Sequence, residues 1–194
     1  MSDVGLPPSF PYFVFGLLAA ILVGAYLIGS MPFGYLLARV RAGMVVGLAL
    51  DVAKGFVPVL IVHAFAQRFD DPITDWFVAA FAAAVVLGDC FSPWLRFKGG
   101  KGVATSLGAI LGLCWPAGLV AIAGWIAGTM LTRYPSVGSM LGSLVAPVAI
   151  WFFTGSPALT LYGAFAALLI ALKHSENVAR LVAGTERPIK LFRR

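Results

Sequence analysis

Between Gly88 and Ser106 the chain runs Gly-Asp-Cys-Phe-Ser-Pro-Trp-Leu-Arg-Phe-Lys-Gly-Gly-Lys-Gly-Val-Ala-Thr-Ser. Arg96, Lys98 and Lys101 crowd around Gly99, Gly100 and Gly102, and Thr105 and Ser106 open the next apolar run. This set suits an anion, and phosphate above all. Glycine has no Cβ, so its backbone N–H can approach a phosphate closely, and the N-terminus of a following helix adds unpaired donors and a partial positive charge. Lys98 and Lys101 supply full charges. The nucleotide P-loop is excluded, because it needs Gly-x-x-x-x-Gly-Lys followed by Ser or Thr, whereas Leu95 and Gly102 stand at two of those places. The competing reading is a basic turn that merely fixes membrane topology.

Three other groups could join it. Asp51 and Lys54 lie three apart within an apolar run, and ionisable groups there cost several kcal/mol unless they pair or face a wet cavity. Either a site or an orienting ion pair satisfies that spacing. Arg133, Ser136 and Ser139 are spaced three apart, which on one helical face makes a second phosphate clamp, although an arginine at a membrane turn also serves as an anchor. His174, Asn177 and Arg180 are also three apart on a short amphipathic stretch, where the plain alternative is a solvated interfacial tail. His63 sits away from all of these. Cys90 and Cys114 lie in or beside apolar segments and read as small buried residues, with no metal site expected.

The elements that hold these groups must be membrane helices. Of the 194 residues 60% are hydrophobic and 11% charged, too apolar for a soluble domain of this size. Helices satisfy their own backbone in lipid, and the apolar runs show no strand-like alternation. The expectation is an all-α polytopic membrane protein, a single domain over residues 1–194 and a bundle of about seven helices. The runs are Tyr12 to Leu37, Met44 to Phe65, Trp76 to Leu95, Val103 to Leu113, Pro116 to Leu131, Val137 to Phe153 and Pro157 to Leu172. The fourth, about 11 residues or roughly 17 Å at the helical rise, is too short to cross alone and reads as tilted, broken or re-entrant. Met1 to Pro11 carries Asp3 and no cation, the wrong flank for a cleaved signal, so the first run is expected to remain as a helix.

Seven crossings put the N-terminus outside and the C-terminus inside. They leave Asp70, Asp71 and Asp75 outward and every Lys and Arg except Arg68 and Lys54 cytoplasmic. The net charge of +6 therefore reads as a topology signal, and nucleic acid is not an expected partner. Gly108/Gly112, Gly124/Gly128 and Gly138/Gly142 carry the four-residue spacing that lets helix backbones pack closely, here taken as packing within a monomer.

Five strings together carry a family resemblance: Gly29-Ser30-Met31-Pro32-Phe33-Gly34, Asp51-x-x-Lys54-Gly55, Phe97-Lys98-Gly99-Gly100-Lys101-Gly102-Val103-Ala104-Thr105, Arg133-x-x-Ser136-x-x-Ser139, and His174-x-x-Asn177-x-x-Arg180-Leu181-x-x-Gly184-x-Glu186. In this order the chain resembles the bacterial membrane acyl-phosphate:glycerol-3-phosphate acyltransferases, the PlsY family. The resemblance implies a multi-pass enzyme of the bacterial plasma (inner) membrane. It would move a fatty acyl group from acyl phosphate to glycerol 3-phosphate at a cytoplasm-facing site, without a cofactor, making lysophosphatidic acid. Gly99, Gly100, Lys101 and Gly102 would cradle the acyl phosphate, with Lys98 and Thr105 beside them. Arg133, Ser136, Ser139, Lys54, Arg180, His174 and Asn177 would serve glycerol 3-phosphate, and the base would be His174 or an oxygen of the donor phosphate. The His-x-x-x-x-Asp pattern of acyl-CoA-using acyltransferases is absent.

Two departures accompany the resemblance. The family's Gly-Ser-Gly-Asn-x-Gly-Ala-x-Asn-x-x-Arg loop has no counterpart, since Arg39-Val-Arg41-Ala-Gly43 passes directly into Met44. Asp89 stands where the family usually has His, and there it would repel an anion or pair with Lys98 or Arg96. A non-catalytic relative binding anionic lipid or phosphate is the first rival. A small transporter is the second, but transport predicts midplane charges and an internal repeat, and neither is visible.

Overall fold

The structure, a computed structural model, describes residues 10–37, 43–69 and 71–189. Arg39, Arg41 and the segment around them, on which the expectation of a missing family loop falls, and Asp70 lie outside the described residues. Nine α-helices are seen among the described residues: α1 (Phe10–Gly29), α2 (Phe33–Leu37), α3 (Gly43–Ala66), α4 (Ile73–Cys90), α5 (Val103–Leu113), α6 (Trp115–Thr132), α7 (Pro135–Thr154), α8 (Pro157–Lys173) and α9 (Ser175–Val182). Proline stands in the first turn of α6, α7 and α8, where its missing N–H would have had no helical partner. Ser156 Oγ accepts from Leu159 N and caps α8.

Each of the seven apolar runs is largely helical, but two are interrupted: the third, expected to reach Leu95, leaves the α-helix at Cys90 and ends in a 3-10 turn at Pro93–Leu95. The first was expected to continue to Leu37, but the helix stops at Gly29 and resumes at Phe33. Pro32 explains this, because it lacks an N–H and pushes the preceding residue out of the helical region. Among the described residues five stretches are long and apolar enough to cross a membrane, or six if α8 and α9, bent by 53° to each other, count as one span. The fourth run, α5, has 11 residues and does not reach across by itself.

Lipid offers helices no hydrophobic reason to associate, so close van der Waals fit between small residues has to hold the bundle. A Cβ added at Gly128 would stand 2.9 Å from Gly138 Cα, and one at Gly124 would stand 3.2 Å from Gly142 Cα, which joins α6 to α7. Gly108 and Gly112 lie on the backbone of α3 at Val52 and Phe56, and Gly55 returns the contact at Thr105. All three glycine pairs thus work inside one chain. Gly29 and Gly88 seat α1 on α4 in the same way. The buried interior is made of small side chains such as Ala82, Val85, Val86, Ala109 and Ala117, while Met44, Leu131 and Phe152 point outward, as suits a protein whose solvent is hydrocarbon. The short α5 therefore sits inside the bundle, and the glycine-rich stretch at its N-terminus opens among the ends of α4, α7, α8 and α9.

Candidate active site

After α4 the chain makes a 3-10 turn at Pro93–Leu95, and Arg96 (φ 53°) and Phe97 (φ 62°) take left-handed conformations. Ser92 fastens this turn, because its carbonyl accepts from Phe97 N at 2.8 Å and its hydroxyl donates to Ser30 O at 2.6 Å. Trp94 Nε1 donates to Ser30 Oγ at 2.9 Å. The break after α1, set by Pro32, is thus the anchor of the basic loop.

Asp89, in the last turn of α4, is enclosed by the glycines. Its carbonyl accepts from Gly100 N at 2.9 Å, and its Oδ2 accepts from Gly102 N at 3.1 Å. Its Oδ1 receives Lys54 Nζ at 2.6 Å. The same ammonium pairs with Asp51 at 2.8 Å and donates to Met31 O at 2.9 Å. Lys54 is 6% exposed; its ammonium donates to one carboxylate and one carbonyl and forms an ion pair with the second carboxylate. Asp51 and Lys54 do share a helical face, as their spacing predicts. The expected pairing of Asp89 with Lys98 or Arg96 is not found: its partner is Lys54, which α3 brings under the loop, while Lys98 and Arg96 are exposed on the turn.

Lys101 leaves the loop on the opposite, exposed side, and its ammonium donates to Asn177 Oδ1. Asn177 Nδ2 in turn donates to Glu186 Oε1 at 2.7 Å. Ser136 Oγ donates to that same oxygen at 2.8 Å, and Arg180 Nε donates to Glu186 Oε2 at 2.7 Å. Gly184 (φ 68°) turns the chain back so that the amides of Thr185 and Glu186 reach Arg180 O, and Ile189 N then bonds Arg133 O at 2.8 Å. Glu186 thus ties the start of α7, the polar face of α9 and the tail into one knot.

Hydrogen bonds from Asn177, Arg180 and Ser136 hold the Glu186 carboxyl down at about 2, from an ordinary value of 4.5. A carboxylate lowered on folding stabilises the fold above its unfolded value and loses that contribution as pH falls through the folded one. Glu186→Gln should therefore melt below the wild type at pH 6 in detergent. The gap should narrow between pH 4.5 and about 2, as scanning fluorimetry at several pH values would read.

The remaining expected site residues are placed as follows. Arg133 and the two serines do not share a helical face: Arg133 takes a left-handed φ of 66° and caps α6, and α7 begins only at Pro135. Ser139 is buried and donates to Pro135 O at 2.9 Å. Thr105 is fully buried in the first turn of α5, beneath the loop. His174 fills the bend between α8 and α9, is 3% exposed, and its Nδ1 stands 2.8 Å from Ile170 O. A carbonyl can only accept, so Nδ1 carries the proton and Nε2 of the neutral ring is left as an acceptor. Beside it Lys173 Nζ donates to Cys90 O at 2.6 Å and lies 4.1 Å from the centre of the Phe91 ring.

Sequence reasoning gave no role to Glu186 or to Asp89 as hubs. The signal for Glu186 was present, a single carboxylate just beyond Gly184 in an otherwise basic tail. For Asp89 the misplaced charge was noticed but its partner was not, because the partner lies 35 residues away on another helix.

Comparison with known proteins shows the family and the fold. A family model described as glycerol-3-phosphate acyltransferase matches residues 40–184. The glycerol-3-phosphate acyltransferase of Thermotoga petrophila is 39% identical over 193 residues, covering 87% of this chain and 95% of its own. That of Brucella suis is 36% identical over 205 residues, covering 92% and 96%. Among solved structures, PlsY, an integral membrane glycerol 3-phosphate acyltransferase, superposes in its glycerol 3-phosphate form with a TM-score of 0.78 at 26% identity, over 89% of this chain and 95% of that one. Its lysophosphatidic acid form gives 0.77 at 28% identity with the same coverage.

Proposed function

The chain belongs to the glycerol-3-phosphate acyltransferase family and is a multi-pass membrane acyltransferase, and on that premise we propose that its acyl donor is an acyl phosphate and that transfer takes place at the Lys101 end of the bundle. The observation that carries the reading is the Lys101–Asn177 hydrogen bond, which joins the basic loop to α9 across 76 positions of sequence. Both substrates are anions, and at this end Lys101, Asn177, Ser136 and Arg180 are joined through Glu186, with Lys98 in the same loop and the backbone of Arg133 tied to the tail at Ile189. The PlsY structures in their glycerol 3-phosphate and lysophosphatidic acid forms support the same acceptor and product.

The chemistry asks for placement more than for a strong nucleophile. Acyl phosphate is a mixed anhydride with a good leaving group, so the acceptor hydroxyl can attack the acyl carbon directly. The bond from that carbon to the phosphate oxygen breaks and inorganic phosphate leaves. The hydroxyl proton passes to His174 Nε2 or to an oxygen of the departing phosphate. Lys98, Lys101 and the loop of Gly99, Gly100 and Gly102 hold the donor phosphate. Asn177, Ser136, Arg133 and Arg180 hold the acceptor, and Ser139 and Thr105 support them from inside their helices. Cations that balance two phosphates at once lower their repulsion and the charge of the transition state. Lys54, enclosed by Asp51 and Asp89, acts from behind the loop.

An apolar groove of about 620 Å³ between α7 and α8 suits the acyl chain. It begins at Val137, next to Ser136, and passes Leu141, Leu144 and Leu168 to Pro147. Basic residues at the Lys101 end and Asp71 and Asp75 at the other favour a cytoplasm-facing site in the bacterial inner membrane, with the N-terminus outside. The internal use of the glycine pairs favours a monomer.

The test uses purified full-length protein in detergent with radiolabelled glycerol 3-phosphate. Labelled lysophosphatidic acid should form with palmitoyl phosphate and stay at background with palmitoyl-CoA. Product from palmitoyl-CoA alone would overturn the donor assignment.

A further inference from the structure

The glycine loop is filled by its own chain. A Cβ at Gly99 would collide with the Asp89 carbonyl oxygen, and one at Gly100 would stand 2.9 Å from Asp89 Oδ2. The absent side chains therefore make room for Asp89 as much as for any ligand. The two amides bonded to Asp89, those of Gly100 and Gly102, flank Lys101 on either side. With both neighbours pinned inward, and Gly102 turned at φ 79°, Lys101 is driven outward onto Asn177. Asp89 is in turn immobilised by Lys54, whose position is set by Asp51 and by Met31 O at the break after α1.

We propose that Asp89 is the positioning residue of Lys101: its carboxylate and carbonyl clamp the amides on both sides of that lysine and transmit the placement of Lys54 to the substrate-binding ammonium. This rests on the reading of Lys101 as a substrate-binding group. Asp89 does not touch substrate. Its side chain is 13% exposed, its oxygens are occupied by Gly102 N and Lys54 Nζ, and a carboxylate in contact with a bound phosphate would repel it.

Asp89→Ala, Asp89→Asn and Gly100→Ala separate this from a merely structural staple. Each is purified intact and read three ways: kcat and KM with palmitoyl phosphate and glycerol 3-phosphate, unfolding midpoint, and labelling of Lys101 relative to Lys98 by an amine-acetylating reagent, resolved by mass spectrometry. Asp89→Ala should lower kcat by about 100-fold, the size expected when a reacting group is displaced by about 1 Å. It should also raise the Lys101:Lys98 labelling ratio several-fold as Lys101 comes off Asn177. Asp89→Asn, which keeps the shape and one acceptor, should recover part of both. Gly100→Ala alone presses on Asp89 Oδ2 and should give the same signature, yet add little in an Asp89→Ala background where the space is vacated.

An unchanged labelling ratio in Asp89→Ala, with activity falling only in step with the unfolding midpoint, would overturn the proposal, as would full additivity with Gly100→Ala. Should Asp89→Ala not fold, Asp89→Asn and Gly100→Ala carry the same readouts. If the wild type transfers no acyl group, the reading of function fails, while the labelling ratio still decides whether Asp89 places Lys101.

Discussion

Lys101→Met should lower kcat/KM for acyl transfer by about 100- to 1000-fold, the usual loss when one donor that stabilises developing charge is removed from a prepared site. Methionine keeps most of the length and apolar stem of lysine but has neither the charge nor the hydrogen bond to Asn177 Oδ1. Because Lys101 is exposed and its loop is fastened through Asp89 and Ser92, the unfolding midpoint should stay close to that of the wild type. Lys101→Arg should recover little, since a planar fork reaches a phosphate with a different geometry from a compact ammonium. A Lys101→Met enzyme with near-normal turnover would remove the site from this end of the bundle.

The second large effect is expected far from any charge. Gly108 lies where α5 crosses α3, and a Cβ there would overlap Val52 O and stand 2.9 Å from Phe56 N. Both are backbone atoms of a helix and cannot move aside as a side chain could. Gly108→Leu should therefore destabilise by about 3 kcal/mol or more, the range of severe overpacking, and lose activity in parallel with the folded fraction. Gly16, with nothing within 4 Å of an added Cβ, is the control: Gly16→Leu should change stability by no more than about 0.5 kcal/mol. Size-exclusion profiles and melting curves in detergent would check both. A well-folded, active Gly108→Leu protein would mean that α5 does not depend on this crossing.

The helices were largely legible because long apolar runs have few alternatives in lipid. The insufficiency of Val103–Leu113 as a span followed from its length alone. The two-part first helix was less so. Pro32 stood in the sequence but the run was carried past it to Leu37, and only the bonds of Ser30 to Ser92 and Trp94 show that the break holds the basic loop. Within the site, glycine content announced a permissive backbone without saying what would occupy the space it leaves. Arg133 was misread because regular spacing was extended across a helix end, which no period can reveal without the left-handed cap. Asn177 and Arg180 share a partner as their spacing suggests because both sit on α9, where spacing does report proximity, whereas His174 lies just before it, in the bend from α8. Glu186, the common partner of Asn177 and Arg180, depends on a turn at Gly184, which a search for helical period passes over.

The bundle also presents hydrocarbon walls of unequal height. At the helical rise α3, with 24 residues, spans about 36 Å, whereas α6, with 18, spans about 27 Å. Trp115 and Leu131, both exposed near the two ends of α6, mark the shorter wall. Lipids along that side must compress while those beside α3 need not, unless the taller helix leans. Bilayer thickness therefore bears unevenly on the molecule, and the difference is taken up by a lean of α3 or by local thinning beside α6, the helix packed on the wall of the groove that starts at Val137.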